Sequence, residues 1–392
     1  MCWNDEEEIR ETGQEGFCVA VLFLLGLLGC AVGGQEAQQG ETRGTKNKEG
    51  RVKERSVLLP ARSGGDWVGR GGLAERADGT WIYFYLRGNH HGSHDRSKTL
   101  HVRFSTDQGR SWTEADTLPD GSAVDGFPIR SPKNVAFDEV GLITCPNGDL
   151  LALHRMIGRK SQRLGCWVLR STDGGRSWSV ETTLFAERGG KYALDYAVAG
   201  DTILAPFIIG RKDQSDTPDR LVLMASDDHG KTWEIRSRIG GSEKGGVNET
   251  GIVHLGGDRV MIVCRTFGEQ TTRQRYSDDL GKTWGAWREI SDEVDVVQQP
   301  NLRRFSSQPG RICLFGRNRY KEKKQRNGIW WSDDGGKTWS GFDVDERYFR
   351  DTGYGDGLMR ADGALVYLGY RGTDKRVDLM RYVLEIEPDE RM

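Results

Sequence analysis

Six arginines, one tyrosine, one Asn-Glu pair and one polar loop are the residues most able to do chemistry. Arg87, Arg155, Arg265, Arg317 and Arg371 each close an apolar run, and Arg70 precedes another. Asn248-Glu249 opens the run GIVHLGGDRVMIVCR, and Tyr354 lies in Asp351-Thr-Gly-Tyr-Gly-Asp-Gly. The loop Gly88-Asn-His-His-Gly-Ser-His-Asp95-Arg-Ser-Lys98 adds Asp95 and the histidines His90, His91 and His94. Arginines converging on one cavity suit an anionic ligand, because a guanidinium can grip a carboxylate with two parallel hydrogen bonds. The three histidines lack zinc-ligand spacing, so no metal and no cofactor are expected.

These residues need a frame that brings them together, and a repeat supplies it. The motif S-x-D-x-G-x-[ST]-W occurs five times, starting at Ser105, Ser171, Ser226, Ser277 and Ser332. In such a turn the Asp accepts backbone amides, the Gly takes a positive φ, and the Trp packs on a neighbour. The five aspartates are therefore read as structural. Before, between and after the copies lie six apolar hairpins: Gly72–Arg87, Gly141–Arg155, Tyr196–Ile208, Gly251–Arg265, Asn301–Arg317 and Gly357–Arg371. Residues 55–392 divide into six units of about 56 residues, a length that suits a four-stranded propeller blade.

The predicted fold is all-β, a six-bladed β-propeller of four-stranded antiparallel blades. The last unit lacks the turn motif, so Arg376–Ile386 is expected as its third strand and Arg55–Pro60 as its fourth, closing the ring. In each blade the start of the first strand, the end of the second and the loop to the third share one face. Arg70, Asp95, Glu249, Arg265, Arg317 and Tyr354 all fall there.

This combination resembles the exo-sialidases (neuraminidases). The resemblance covers about residues 60–392 and rests on the Asp boxes, on Asn248-Glu249 sixteen residues before Arg265, and on Tyr354 before the last hairpin. It implies a retaining glycosidase acting on terminal α-sialic acid, or a related nonulosonic acid, with Tyr354 as nucleophile, Glu249 as its base and Asp95 as acid/base. Arg70, Arg265 and a third arginine would clamp the substrate carboxylate, Arg326 being favoured over Arg317. A phenol nucleophile suits such a sugar, because a carboxylate on the anomeric carbon repels an Asp or Glu. The family's Arg-Ile-Pro signature is absent, Arg70 standing in Val-Gly-Arg-Gly-Gly. A propeller hydrolase for another acidic sugar, and a binding propeller without activity, are the alternatives.

Composition bounds the rest. Residues 1–50 carry nine acidic and four basic side chains, a net −5, so the whole-chain −2 leaves +3 for the remainder. That near-neutrality gives no nucleic-acid footprint; the expected partners are sialylated or acidic glycans. The uncharged run Phe17–Val32 suits the apolar region of a secretory signal, so residues 1–34 are read as a leader and 35–54 as a flexible linker. Export to the periplasm or the extracellular space follows as an expectation. Leu27-Leu-Gly-Cys30 offers lipidation at Cys30 as one mode of processing and the only expected membrane contact; cleavage near Ala31–Ala37 is the other. Cys145, Cys166, Cys264 and Cys313 sit in apolar runs and are expected to be buried thiols.

Overall fold

The computed structural model describes residues 50–386 except for 63–65, 93–94, 159–162, 187–190, 193–194, 210–220, 241–245, 267–269, 320–324, 346 and 374. The leader, residues 35–49 of the linker, and His94 thus lie outside the described residues. What is described is a ring of six antiparallel sheets, each a blade with its strands in sequence order from the inside outward, except that the outermost strand of the sixth is the chain's first. The innermost strands are Trp67–Glu75, Ala136–Thr144, the pair Lys191–Tyr192 and Ala197–Ala199, Val247–Gly256, Val297–Phe305 and Asp351–Met359. Among the described residues, the only helix is the single turn Ser291–Val294, and no helix is long and apolar enough to cross a membrane.

The ring closes as the sequence predicts. Arg376–Ile386 is the third strand of blade six, and the chain's first strand, Gly50–Leu59, pairs antiparallel with it as the fourth. That strand starts at Gly50, so the expected linker gives up its last five residues to the sheet. Joining the first and last strands in one blade leaves no seam at which the ring can open without losing a whole ladder of backbone hydrogen bonds.

The repeated turns hold the blades together. In each, the Ser side chain receives the motif glycine's N–H and donates to the Asp, while the Asp also accepts the N–H and hydroxyl of the later Ser or Thr. The glycine then presses against the preceding blade. At Gly281, with φ +81°, an added Cβ would lie 2.1 Å from a Leu223 methyl, so only glycine allows both the turn and the contact. All four described cysteines are buried and free.

A second repeated device was not legible as a motif. The inner strands of blades one, two, four, five and six each carry a bulge, two residues facing one on the adjacent strand, at Gly69/Gly72, Phe137/Val140, Val247/Thr250, Gln298/Asn301 and Gly353/Asp356. The residues thrown out of register are Arg70-Gly71, Asp138-Glu139, Asn248-Glu249, Gln299-Pro300 and Tyr354-Gly355. Bulges re-aim side chains, and here they turn polar groups out of strands that are otherwise packed on both faces. Arg70, Gln299 and Tyr354 sit at φ +52°, +51° and +49°, a left-handed conformation that costs a non-glycine residue about 1 kcal/mol or more.

Candidate active site

Four bulges and the ends of two second strands build the centre. Tyr354 donates its phenol hydrogen to Glu249 Oε1 at 3.0 Å. The phenol oxygen also accepts from Arg317 Nη2 at 3.3 Å. The other Glu249 oxygen accepts the Gln299 backbone N–H at 3.0 Å and Arg265 Nη1 at 3.3 Å. The guanidinium carbons of Arg70 and Arg317 lie 4.9 and 4.8 Å from the centre of the Tyr354 ring. Tyr354, Glu249, Arg70 and Arg317 are all buried.

The electrostatics of Tyr354 combine opposing effects. Burial raises the phenol's pKa above its usual value, Arg317 and Arg70 pull it down, and the Glu249 charge pushes it up. The resting group is a neutral phenol already hydrogen-bonded to a carboxylate that can take its proton. Once the proton moves to Glu249, that repulsion vanishes and the Arg317 bond strengthens, because hydrogen bonds to a charged acceptor are about twice as strong. The arrangement can therefore generate a phenolate on demand.

The arginines divide differently from the expectation. Arg317 is a site residue: its Nε donates to Gln298 Oε1 at 2.7 Å and its Nη1 stands 3.5 Å from Asp351. Arg326 lies one strand farther out, on Gln325–Ser332, where it pairs with Asp343 at 3.2 Å and covers the Tyr348 ring. The third arginine beside Tyr354 is thus Arg317, and Arg326 is corrected to a partner of Asp343. Arg70 is shared: its Nη1 is ion-paired to Asp138 and stands 3.4 Å from Glu139, and its Nη2 donates to His91 Nε2 at 2.8 Å. Arg155 also joins this cluster, 2.5 Å from Asp138 and 3.2 Å from Glu139. Arg87 and Arg371 pair with Asp66 and Asp345, away from Tyr354.

Asp95 is placed nearby but turned inward. One oxygen accepts the N–H groups of Asn89 and His90 at 2.7 and 3.0 Å; the other accepts Ser97 N–H and hydroxyl at 2.9 and 2.6 Å. Burial would raise this carboxyl's pKa, but the four bonds outweigh it and hold the pKa below the ordinary value. A carboxylate so occupied shapes its loop and is a poor proton donor. The loop instead presents His91, whose Nδ1 is 2.9 Å from Asp351 Oδ2 and whose ring meets the Tyr354 ring edge-on at 5.8 Å. Fully buried Lys98 pins the loop, donating to the His91 and Gly92 carbonyls at 3.1 and 3.0 Å over the Trp67 ring. Burial, opposed by Asp138, lowers its pKa to about 8.

A cavity of about 440 Å³ opens here, lined by His90, His91, Arg317, Arg350, Asp351 and Lys375. Arg350 and Lys375 are exposed and give its rim a positive charge. The other end of the channel holds a separate cavity of about 480 Å³, floored by the apolar inner strands. Arg303 lines this second cavity and bridges the buried Asp195 and Asp356 at 2.5 and 2.7 Å. Among the described residues no cluster of histidine, cysteine or carboxylate side chains could hold a metal.

Sequence reasoning missed Asp138, Glu139 and Gln299. Their signal is positional: each stands in the bulge of its own inner strand, where Arg70, Glu249 or Tyr354 stands in its own. The Gln299 side-chain oxygen is buried without a hydrogen-bond partner, so it is an open acceptor in the same ring of bulges.

The family model described as the BNR repeat-like domain matches residues 90–367. The chain belongs to that family. A sialidase of Micromonospora viridifaciens is 24% identical over 269 residues, a match that spans 60% of this chain and 40% of that protein. Among solved structures, a Dyadobacter fermentans protein of unknown function superposes with a TM-score of 0.65 at 20% identity, covering 86% of this chain and 99% of its own. The NanB sialidase of Streptococcus pneumoniae gives 0.64 at 12% identity, covering 84% and 70%. The Trypanosoma rangeli sialidase gives 0.62 at 16% identity, covering 84% and 59%. At these identities the likeness shows the fold, a sialidase-like propeller; any activity has to be argued from the site.

Proposed function

We propose that this BNR-repeat protein is a retaining exo-glycosidase that releases terminal α-sialic acid, or a related nonulosonic acid, from glycoconjugates. The observation that carries the reading is the buried 3.0 Å hydrogen bond from Tyr354 to Glu249, flanked by Arg317 and Arg265. A binding surface has no need of a phenol whose proton already points at a base. The substrate carboxylate would enter among Arg70, Arg265 and Arg317, which offer it several charge-assisted hydrogen bonds. Tyr354 would attack the anomeric carbon while Glu249 takes its proton. The test is hydrolysis of a fluorogenic α-sialoside by residues 45–392, with Tyr354→Phe beside it. Release by the parent and none by the variant supports the reading; release that survives Tyr354→Phe refutes the nucleophile.

A second reading, hydrolysis of another acidic sugar, is favoured by one observation. Asp138 and Glu139 already neutralise much of Arg70, which leaves Arg265 and Arg317 as the main carboxylate donors. Folded protein that binds sialosides or other acidic glycans on an array but hydrolyses none would instead mark it as a binding propeller. We also propose that the chain is exported by its leader, with Cys30 as a candidate lipid attachment. Fractionation of cells expressing the full chain and its Cys30→Ala variant tests both.

A further inference from the structure

We propose that His91, backed by Asp351, is the proton-transfer group of this site, in the role the resemblance would give to Asp95. The inference rests on the glycosidase reading above. Three observations carry it: Asp95 is consumed by its own loop, His91 lines the cavity mouth through which a leaving group must pass, and its ring abuts Tyr354.

The hydrogen bonds fix the resting state. A guanidinium can only donate, so the 2.8 Å contact with Arg70 makes Nε2 an acceptor and places the ring hydrogen on Nδ1, toward Asp351. Asp351 is itself held by the Trp67 indole N–H and the Tyr370 hydroxyl, both at 3.1 Å, so the imidazole is backed by an anchored carboxylate. The charged and titratable groups facing His91 are Arg70 from the first blade, Arg317 from the fifth, and Asp351, Tyr354 and Tyr370 from the sixth. The Lys98 ammonium lies on its backbone carbonyl, and Asp138 and Glu139 stand behind Arg70. Burial and then Arg70 lower the imidazole's pKa, against the pull of Asp351. A substrate carboxylate among the arginines would draw off the Arg70 donor and favour the imidazolium.

The cycle balances. In the first step the imidazolium Nε2–H passes to the leaving-group oxygen, which keeps the electron pair of the breaking bond to the anomeric carbon. The Tyr354 oxygen bonds to that carbon, its own proton having gone to Glu249. In the second step a water oxygen bonds to the carbon and its proton goes to Nε2. The bond to Tyr354 then breaks with its electron pair on the phenol oxygen, which recovers the proton from Glu249.

The experiment compares parent, His91→Gln, Asp95→Asn and Asp351→Asn on two substrates across pH. One is a fluorogenic aryl α-sialoside, whose leaving group needs no acid; the other is a methyl α-sialoside, whose leaving group does. His91→Gln is expected to lose about 100-fold or more on the methyl glycoside, to keep a larger share of the first step on the aryl one, and to lose the falling limb at rising pH. Added azide should restore turnover of the aryl substrate by capturing the glycosyl intermediate. Asp351→Asn should move that limb to lower pH by roughly one to three units, because it removes the charge that favours the imidazolium. Equal losses on both substrates with the limb intact, in protein that melts like the parent, overturn the proposal. So does loss of the leaving-group dependence in Asp95→Asn rather than His91→Gln. Parent protein inactive on both substrates refutes the glycosidase reading itself, and this proposal with it.

Discussion

Replacing Glu249 by Gln tests the chemical core most cleanly, because the surroundings dictate how the amide must sit. The Glu249 carboxylate faces one donor on Oε1, the Tyr354 hydroxyl, and two on Oε2, the Gln299 amide and Arg265. A Gln side chain satisfies the two fixed donors with its oxygen and turns its NH2 toward Tyr354. The phenol then becomes the acceptor and has no base for its proton. A positioned general base contributes about 100- to 10,000-fold, which is roughly 2.7–5.5 kcal/mol of barrier. The fold should survive, because the Gln299 amide and Arg265 keep their acceptor and only the Tyr354 hydroxyl loses one. Arg265 exchanges a carboxylate for a neutral oxygen, so stability should fall by about 1–2 kcal/mol. The assay is kcat and KM on a fluorogenic α-sialoside, with a thermal melt of both proteins. Loss in kcat with KM within a few-fold is expected. Activity within tenfold of the parent, in folded protein, would refute the assignment of Glu249 as the base.

Further outcomes follow from the same contacts. Arg317→Met should raise KM for an anionic substrate at least 100-fold and lower kcat as well, since Arg317 touches Tyr354, whereas Arg326→Met should change neither by more than a few-fold; steady-state kinetics separate them. Asp95→Ala strips four hydrogen bonds from its loop and should cost about 1–3 kcal/mol, read as a lowered Tm. Gly355→Ala should destabilise the blade-six bulge, because its Cβ would lie 2.3 Å from the Leu368 carbonyl oxygen, and chemical denaturation reads that loss. The turn aspartates Asp228 and Asp279 are held at a pKa of about 2, their hydrogen bonds to Thr232 and Thr283 outweighing burial. A depressed folded-state pKa stabilises above the unfolded value near 4, and the contribution is lost as pH falls through about 2. Melting curves should therefore be flat above pH 4 in this respect and drop between pH 4 and 2, with a smaller drop in Asp279→Asn.

Much of the architecture was written locally. The turn motif needs only eight contiguous residues, and its spacing counts blades directly. The missing sixth turn announced that the chain's start must close the ring, as Gly50–Leu59 does against Arg376–Ile386. Tyr354, Glu249 and Arg265 were legible for the same reason: each stands at a fixed offset from a hairpin, and the hairpins set which face they share. Tertiary structure alone decided how those side chains are spent. Arg317 and Arg326 are nine residues apart around one loop. Arg317 reaches Tyr354 because its strand lies next to the inner one, while Arg326 starts two ladder spacings out, roughly 10 Å from it. Asp95 reads as a loop carboxylate in any sequence, and only the folded loop shows its oxygens filled by backbone amides with His91 presented instead. The bulges are the general case. A one-residue change of register sends a side chain to the opposite face of a strand. Whether Asp138, Glu139 or Gln299 lines the channel or packs between blades therefore depends on a kink that each inner strand takes only against its neighbour.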